Sequence, residues 1–195
     1  MMDNVVIIDY GAGNVKSVEF ALRRLGANVL LTSDKETIVN ASKVVFPGVG
    51  HARPAMSSLK ASGLDLIIPE LKVPVLGICL GMQLMCIRTE EGTTKGLGIF
   101  DTSVKKFPAA AKIPHMGWNT FQRLRGALFE GIEEGAYCYF VHSYYAETCN
   151  MTSSTCDYIL PFSATLERDN FYGCQFHPEK SGAVGEQLLL NFLKL

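Results

Sequence analysis

Cys79 stands in Gly77-Ile78-Cys79-Leu80-Gly81, with a glycine two residues to either side of a thiol. Between a short apolar run and a helical pattern, this is the nucleophile-elbow spacing with sulfur in place of a serine hydroxyl. The chemistry it serves is acyl transfer: a thiolate held out on a sharp strand-to-helix turn attacks a carbonyl and forms a thioester. A following helix N-terminus favours the thiolate, because its unpaired N–H groups and dipole stabilise negative charge. The bland alternative is a buried cysteine in a glycine-rich turn.

A thiol nucleophile needs a base, and the chain has four histidines. His177 lies in Gln175-Phe176-His177-Pro178-Glu179. On extended backbone, residues two apart point the same way, so Glu179 faces the side of His177, and Pro178 fixes one torsion between them. Such a carboxylate would hold the imidazole's tautomer and stabilise the imidazolium. His142, in Tyr139-Phe140-Val141-His142-Ser143-Tyr144, is the rival base. Its bland reading is a hydrogen-bonded histidine on a half-buried aromatic strand. The residues alone leave the choice open. His51 and His115 sit beside turns with nothing to mark them as catalytic.

Pro47-Gly48-Val49-Gly50 also follows a strand, where glycines let backbone N–H groups turn toward a ligand. In a cysteine hydrolase this suggests half an oxyanion hole, with the Leu80 N–H as the other half. Gly11-Ala12-Gly13 invites a dinucleotide reading, but Lys16 occupies the third glycine's position and no acid ends the second strand, so that reading is rejected. The cysteines form no C-x-x-C pair and the histidines are dispersed, so neither metal nor cofactor is expected. Cys86, Cys138, Cys149, Cys156 and Cys174 read as packing thiols, and Glu90-Glu91 as a solvated helix end.

These residues must be positioned by elements. Val5 to Asp9 reads as a buried strand, being a continuous apolar run that ends in turn residues. Asn14 is placed to cap a helix from Val15 to Leu25, with Gly26 at its C-terminal end. Strands follow at Asn28 to Thr32, Lys43 to Phe46 and Val73 to Ile78. A helix from Pro54 to Leu71, weakened at Gly63, precedes the last of these, and a helix through Met82, Leu84, Met85 and Ile87 follows it. Alternating strands and helices imply parallel pairing. From Gly98 to Phe176 the segments are short, aromatic and alternating, which predicts antiparallel strands. A final helix spans Gly182 to Leu195. The expected fold is α/β: an open, mostly parallel central sheet with flanking helices, plus a smaller antiparallel region in the second half.

The whole chain is expected to form one domain, residues 1–195, since roughly 100–200 residues make a domain. Its 18 basic and 19 acidic residues give a formal charge of −1, with no electrostatic drive toward nucleic acid or anionic lipid. No apolar stretch reaches the roughly 20 residues that a membrane span needs. The six cysteines, without a secretory signal, read as reduced thiols in a cytoplasmic protein.

Gly-Ile-Cys-Leu-Gly-Met-Gln, His-Pro-Glu and Pro-Gly-Val-Gly together resemble the class I (triad) glutamine amidotransferases. Asp9 to Asn14, Pro114-His115-Met116-Gly117-Trp118-Asn119 and Tyr139 to Tyr144 narrow the resemblance, which runs end to end, to the glutaminase subunits of imidazole glycerol phosphate synthases. The resemblance implies Cys79 as nucleophile, His177 as base and acid, and Glu179 as its orienting partner. It implies an oxyanion hole from Leu80 and Val49, and glutamine contacts from Gly48, Gly50, Gln83, Glu91, Ser143 and Tyr144. Asn14, Trp118, Asn119, Tyr139 and Lys180 would lie toward a separate (β/α)8-barrel cyclase. There, ammonia released from glutamine would help form imidazole glycerol phosphate and an aminoimidazole carboxamide ribotide in histidine biosynthesis. The segment from Cys149 to Leu160 is less typical, with apolar Ile159-Leu160 where a turn is expected. Rival readings are the glutaminase of another amidotransferase, a free-standing cysteine hydrolase, and a catalytically dead binding subunit.

Overall fold

The computed structural model describes residues 4–11 and 15–195. In chain order its strands are β1 (Asn4–Ile8), β2 (Asn28–Thr32), β3 (Lys43–Gly48), β4 (Val75–Cys79), β5 (Cys86–Thr89), β6 (Thr94–Lys95), β7 (Phe100–Lys106), β8 (His115–Thr120), β9 (Tyr137–His142), β10 (Tyr144–Ala146), β11 (Thr152–Tyr158), β12 (Leu160–Arg168) and β13 (Phe171–Cys174). The helices are α1 (Val15–Arg24), α2 (Lys35–Val39), α3 (Ala52–Ser62), α4 (Leu64–Ile67), α5 (Leu80–Met85) and α6 (Gly182–Lys194).

Seven strands form the main sheet in the order β11-β12-β13-β4-β3-β1-β2. It is parallel from β13 to β2, and β11 and β12 extend it antiparallel. A four-stranded sheet β10-β7-β5-β6 and the ribbon β8-β9 complete the β structure. The expected architecture is therefore present, although β11 to β13 join the main sheet instead of standing apart.

Strand alternation sorts the core onto two faces. Val5, Ile7, Val45, Leu76 and Ile78 pack with Val18, Ala21 and Leu22 of α1 and Leu188, Leu189 and Phe192 of α6. Val6, Ile8, Val44, Phe46 and Val75 pack with Ile38 of α2, Met56 and Leu59 of α3, and Met82, Leu84 and Met85 of α5. A sheet covered on both sides needs strands that are apolar throughout, which is why β1, β3 and β4 carry unbroken apolar runs. Each fully buried large side chain contributes about 1.5–3 kcal/mol relative to exposure.

Several expectations need correction. The helix from Pro54 to Leu71 is divided at Gly63, which takes φ 69° and closes α3; α4 and a 3₁₀ turn continue to Glu70. The helix after Cys79 stops at Met85, because Cys86 to Thr89 go into β5 and pair with β6 and β7, so Ile87 is a strand residue. Helix α2 was not expected; Asp34 caps it by accepting from the Thr37 N–H at 2.8 Å. Gly26 ends α1 with φ 86°, while Asn14 lies outside the described residues. The atypical segment is a tight hairpin: Tyr158 pairs with Leu160, and Ile159 alone makes the turn at φ 65°.

Candidate active site

Parallel strands bring their C-terminal ends to one edge of the sheet, where ligands of open α/β folds bind. Gly48 of β3 pairs with Cys79 of β4, and Cys174 of β13 pairs with Ile78. The chain leaving β13 therefore carries His177 past Cys79.

Cys79 closes β4 and opens α5 at φ 54°, ψ −110°. Non-glycine residues rarely occupy positive φ, and such strain costs about 1–3 kcal/mol. The flanking glycines make the turn possible. A Cβ at Gly81 would lie 1.8 Å from the Phe46 carbonyl oxygen, and one at Gly77 would lie 2.9 Å from the Met82 nitrogen. The glycines thus allow α5 to press against β3 and β4, and the elbow predicted from the spacing is formed.

The His177 imidazole is 2 % exposed, and its Nδ1 lies 2.8 Å from Oε1 of Glu179, whose side chain is 1 % exposed. The main chain is anchored on both sides: His177 N–H donates to the Tyr139 carbonyl, and the Ser181 hydroxyl donates to the His177 carbonyl. Burial opposes a charge on the imidazole, but hydrogen bonding and the negative charges of Cys79 and Glu179 outweigh it, holding His177 protonated up to about 10. His177 is thus poised as an imidazolium beside the Cys79 sulfur.

His142 behaves differently. Burial drives it down to about 3 and His115 to about 4, so both rings are neutral near pH 7. The Tyr144 carbonyl can only accept, so His142 carries its proton on Nδ1, 2.8 Å away. Its Nε2 then accepts from His115 Nδ1 at 2.9 Å. His142 is thus a satisfied structural donor, the bland reading that its sequence setting offered.

Cys79 and His177 share a cleft of about 480 Å³ with Val49, Gly50, Leu80, Gln83, Glu91, Ser143 and Tyr144. Glu179 stands behind His177, and Gly48 is buried at the end of β3. Glu91 is no solvated helix end: it is buried in the turn after β5, and its carboxylate accepts from the Ala52 N–H at 2.8 Å and faces His51 at 3.7 Å. Glu90 does stay exposed. A larger cleft, about 660 Å³, lies beside β11, but neither Cys79 nor any histidine lines it. Among the described residues, no three His, Cys, Asp or Glu side chains gather to hold a metal ion.

Of the residues expected to face a partner, Trp118, Asn119, Tyr139 and Lys180 do not line the cleft, and Asn14 is outside the described residues. Trp118 and Tyr139 pair across the β8-β9 ribbon with rings 6.1 Å apart, and Lys180 Nζ sits 6.0 Å from the Tyr139 ring. Met116, Trp118 and Tyr137 share this face and are each more than half exposed. Asn119, one residue along, turns its amide inward to the Asp157 carbonyl at 3.0 Å.

Sequence reasoning missed two residues of the site. Tyr10 is buried, donates to the Pro47 carbonyl at 2.8 Å, and so holds the strand leading into Gly48-Val49-Gly50. Gln175 is fully buried and reaches the Cys79 sulfur. It stands two residues before His177, so the spacing argument used for Glu179 would have found it. Of the remaining cysteines, Cys86, Cys138, Cys156 and Cys174 are buried with thiols pushed up by burial, as packing residues should be.

Comparison with known proteins bears on the chain as a whole. The family model described as glutamine amidotransferase class-I matches residues 6–195. The imidazole glycerol phosphate synthase subunit HisH of Bacteroides fragilis (strain YCH46) is 55% identical over 194 residues, covering 98% of this chain and 99% of the relative. The subunit of the same name from Archaeoglobus fulgidus is 47% identical over 195 residues, with 98% of both chains covered. The crystal structure of a candidate GMP synthase subunit from Thermoplasma acidophilum matches with a TM-score of 0.79 at 20% identity. That match covers 100% of this chain and 94% of the other and supports the fold alone. The extent of the family match and the near-complete overlap with these relatives establish that the chain belongs to the class-I glutamine amidotransferase family.

Proposed function

We propose that this chain is the glutaminase subunit of an imidazole glycerol phosphate synthase. In this reading it hydrolyses L-glutamine and hands the ammonia to a (β/α)8-barrel cyclase subunit. The observation that carries the proposal is Cys79 on its strained turn beside the buried His177–Glu179 pair, in a cleft of substrate size. The HisH relatives supply the specific assignment.

The chemistry follows from a protonated His177 beside Cys79. The Cys79 thiolate attacks the side-chain carbonyl carbon of glutamine, and the N–H groups of Leu80 and Val49 receive the oxyanion; one such donor is worth about 10²–10³ in rate. The C–N bond breaks as His177 gives its proton to the departing nitrogen, leaving ammonia, a thioester and a neutral imidazole. Forming the thioester also removes the thiolate, the leading support for protonated His177. The imidazole thereby becomes a base. It takes a proton from water, the hydroxide adds to the thioester, and glutamate leaves as the thiolate and imidazolium return. Glu179 keeps the ring aligned throughout. Glu91 and Gln83 on the cleft wall suit the ammonium and polar groups of the amino acid.

The face of Met116, Trp118, Tyr137 and Tyr139 suits the cyclase contact: exposed aromatic side chains beside Lys180 are typical of interface anchors. No described helix is long and apolar enough to cross a membrane, and the six free thiols suit the cytoplasm, where we place the protein.

The test measures glutamate release by the chain alone and with a barrel cyclase plus its nucleotide ligand, using Cys79→Ala as control. Low activity alone, a large rise in the complex and abolition in the variant are expected. Full activity alone, unchanged by the cyclase, would overturn the assignment in favour of a stand-alone hydrolase, and silence in a stable complex would indicate a dead binding subunit.

A further inference from the structure

We infer that Gln175 is a positioning residue that holds the Cys79 sulfur with one end of its amide and sets the orientation of Gln83 with the other. The inference rests on Cys79 being the nucleophile, as proposed above.

The argument starts from one main-chain atom. The Tyr144 carbonyl has no proton to give, so the Gln83 atom 2.8 Å from it must be the amide nitrogen. That nitrogen's second contact, at 2.8 Å, is Gln175, which must therefore offer its oxygen. The other end of the Gln175 amide is then its NH₂, and this end lies 3.7 Å from the Cys79 sulfur. Each amide orientation follows from its neighbour, and the series ends with a donor on the nucleophile.

Gln175 and Gln83 are both buried, at 0% and 4% exposure, so their hydrogen bonds are little exchanged with water. A buried amide donor lowers the energy of a thiolate more than that of a thiol, since hydrogen bonds to charged acceptors are the stronger. The sulfur also has a fixed neighbour in the Gln175 amide, which keeps it aligned between attack and regeneration. On Gln83, both N–H bonds are committed, so its carbonyl is the polar atom left for a ligand in the cleft that Gln83 lines. Gln83 is thereby set to accept from a substrate N–H.

The experiment uses the full chain with Gln175→Met, which keeps the bulk and removes the amide; Gln175→Asn, which keeps an amide but withdraws it by one methylene; and Gln175→Glu, which puts a carboxylate beside the sulfur. The first readout is the pH profile of Cys79 alkylation by iodoacetamide, followed by mass spectrometry, which needs neither glutamine nor a partner. The Met and Asn variants should shift the profile to alkaline pH by about one unit, a tenfold change in reactive thiolate on the acid limb. The Glu variant should shift it further. The second readout is kcat and KM for glutamine in the cyclase complex, where kcat should fall about tenfold and KM should rise through the released Gln83.

Wild-type profiles in all folded variants would overturn the inference, as would equal shifts in Met, Asn and Glu variants that track only their loss of thermal stability. If wild-type protein releases no glutamate in the complex while Cys79 still shows the ordered shifts, the functional proposal fails and the positioning role stands.

Discussion

Replacing Cys79 by alanine should change the titration of a different residue. His177 is held protonated to about 10 against an ordinary value of 6.5. At 1.36 kcal/mol per unit this is a preference for the imidazolium of about 5 kcal/mol, reached although burial works against it. The sign is that of a raised base: the proton is kept as pH rises through 6.5 and is lost only near 10. At pH 7 about one ring in a thousand is neutral. Cys79 is the leading support and Glu179 the second. A neighbouring opposite charge shifts a titration by about 1–3 units, so Cys79→Ala should lower the His177 midpoint by that amount. Glu179→Gln should lower it too, by less. The assay is long-range ¹H–¹⁵N NMR of the histidine side chains in wild type and both variants. His115 and His142 serve as internal references, because both stay neutral from about pH 5 upward. A wild-type His177 that is neutral at pH 8, or one whose midpoint moves by less than about half a unit in Cys79→Ala, would refute the thiolate–imidazolium reasoning. It would also remove the basis for a switch from acid to base on thioester formation.

Gly81→Ala should destabilise the fold by at least about 1–3 kcal/mol in urea unfolding, because the new methyl meets the Phe46 carbonyl oxygen at 1.8 Å and that oxygen, being main chain, cannot swing aside; wild-type stability would refute the account of the elbow. Glu91→Gln should raise KM for glutamine about tenfold with little effect on kcat, the signature of lost ground-state binding to an ammonium group. An unchanged KM would remove Glu91 from the glutamine site. Trp118→Ala should weaken cyclase binding about thirtyfold in calorimetry, equivalent to about 2 kcal/mol, while thermal unfolding of the isolated chain stays unchanged because the ring is 55% exposed. Unaltered affinity would move the proposed interface elsewhere.

What was legible in the chain depended on how local its cause is. The elbow was readable because its constraints act within five residues: one strained turn and two close approaches of backbone. Strands β1, β2 and β3 and helices α1 and α6 were readable because burial on one or both faces imposes a period. Helix α2 escaped because five residues carry too little periodicity, although Asp34 with Thr37 three residues on is a cap signal. The early end of α5 was hidden because its apolar pattern runs on through Ile87, and only the distant pairing of β5 with β7 draws the backbone out of the helix. Glu91 looked like surface charge because the N–H that engages it belongs to Ala52, 39 residues earlier. The roles of His142 and His177 also turn on tertiary partners, the Tyr144 carbonyl and His115 for one ring and Glu179 for the other.

The Tyr144 carbonyl, which accepts from both Gln83 and His142, has a consequence for how this chain tolerates mutation. Every amino acid, proline included, carries a main-chain carbonyl, so no substitution at position 144 deletes that acceptor. Side chains around it are free to drift while the amide of Gln83 and the tautomer of His142 keep their sense. The vulnerable change is of another kind: an insertion or deletion between β9 and β10 would move a different peptide unit into place, and donors and acceptors on both arms would lose their match together.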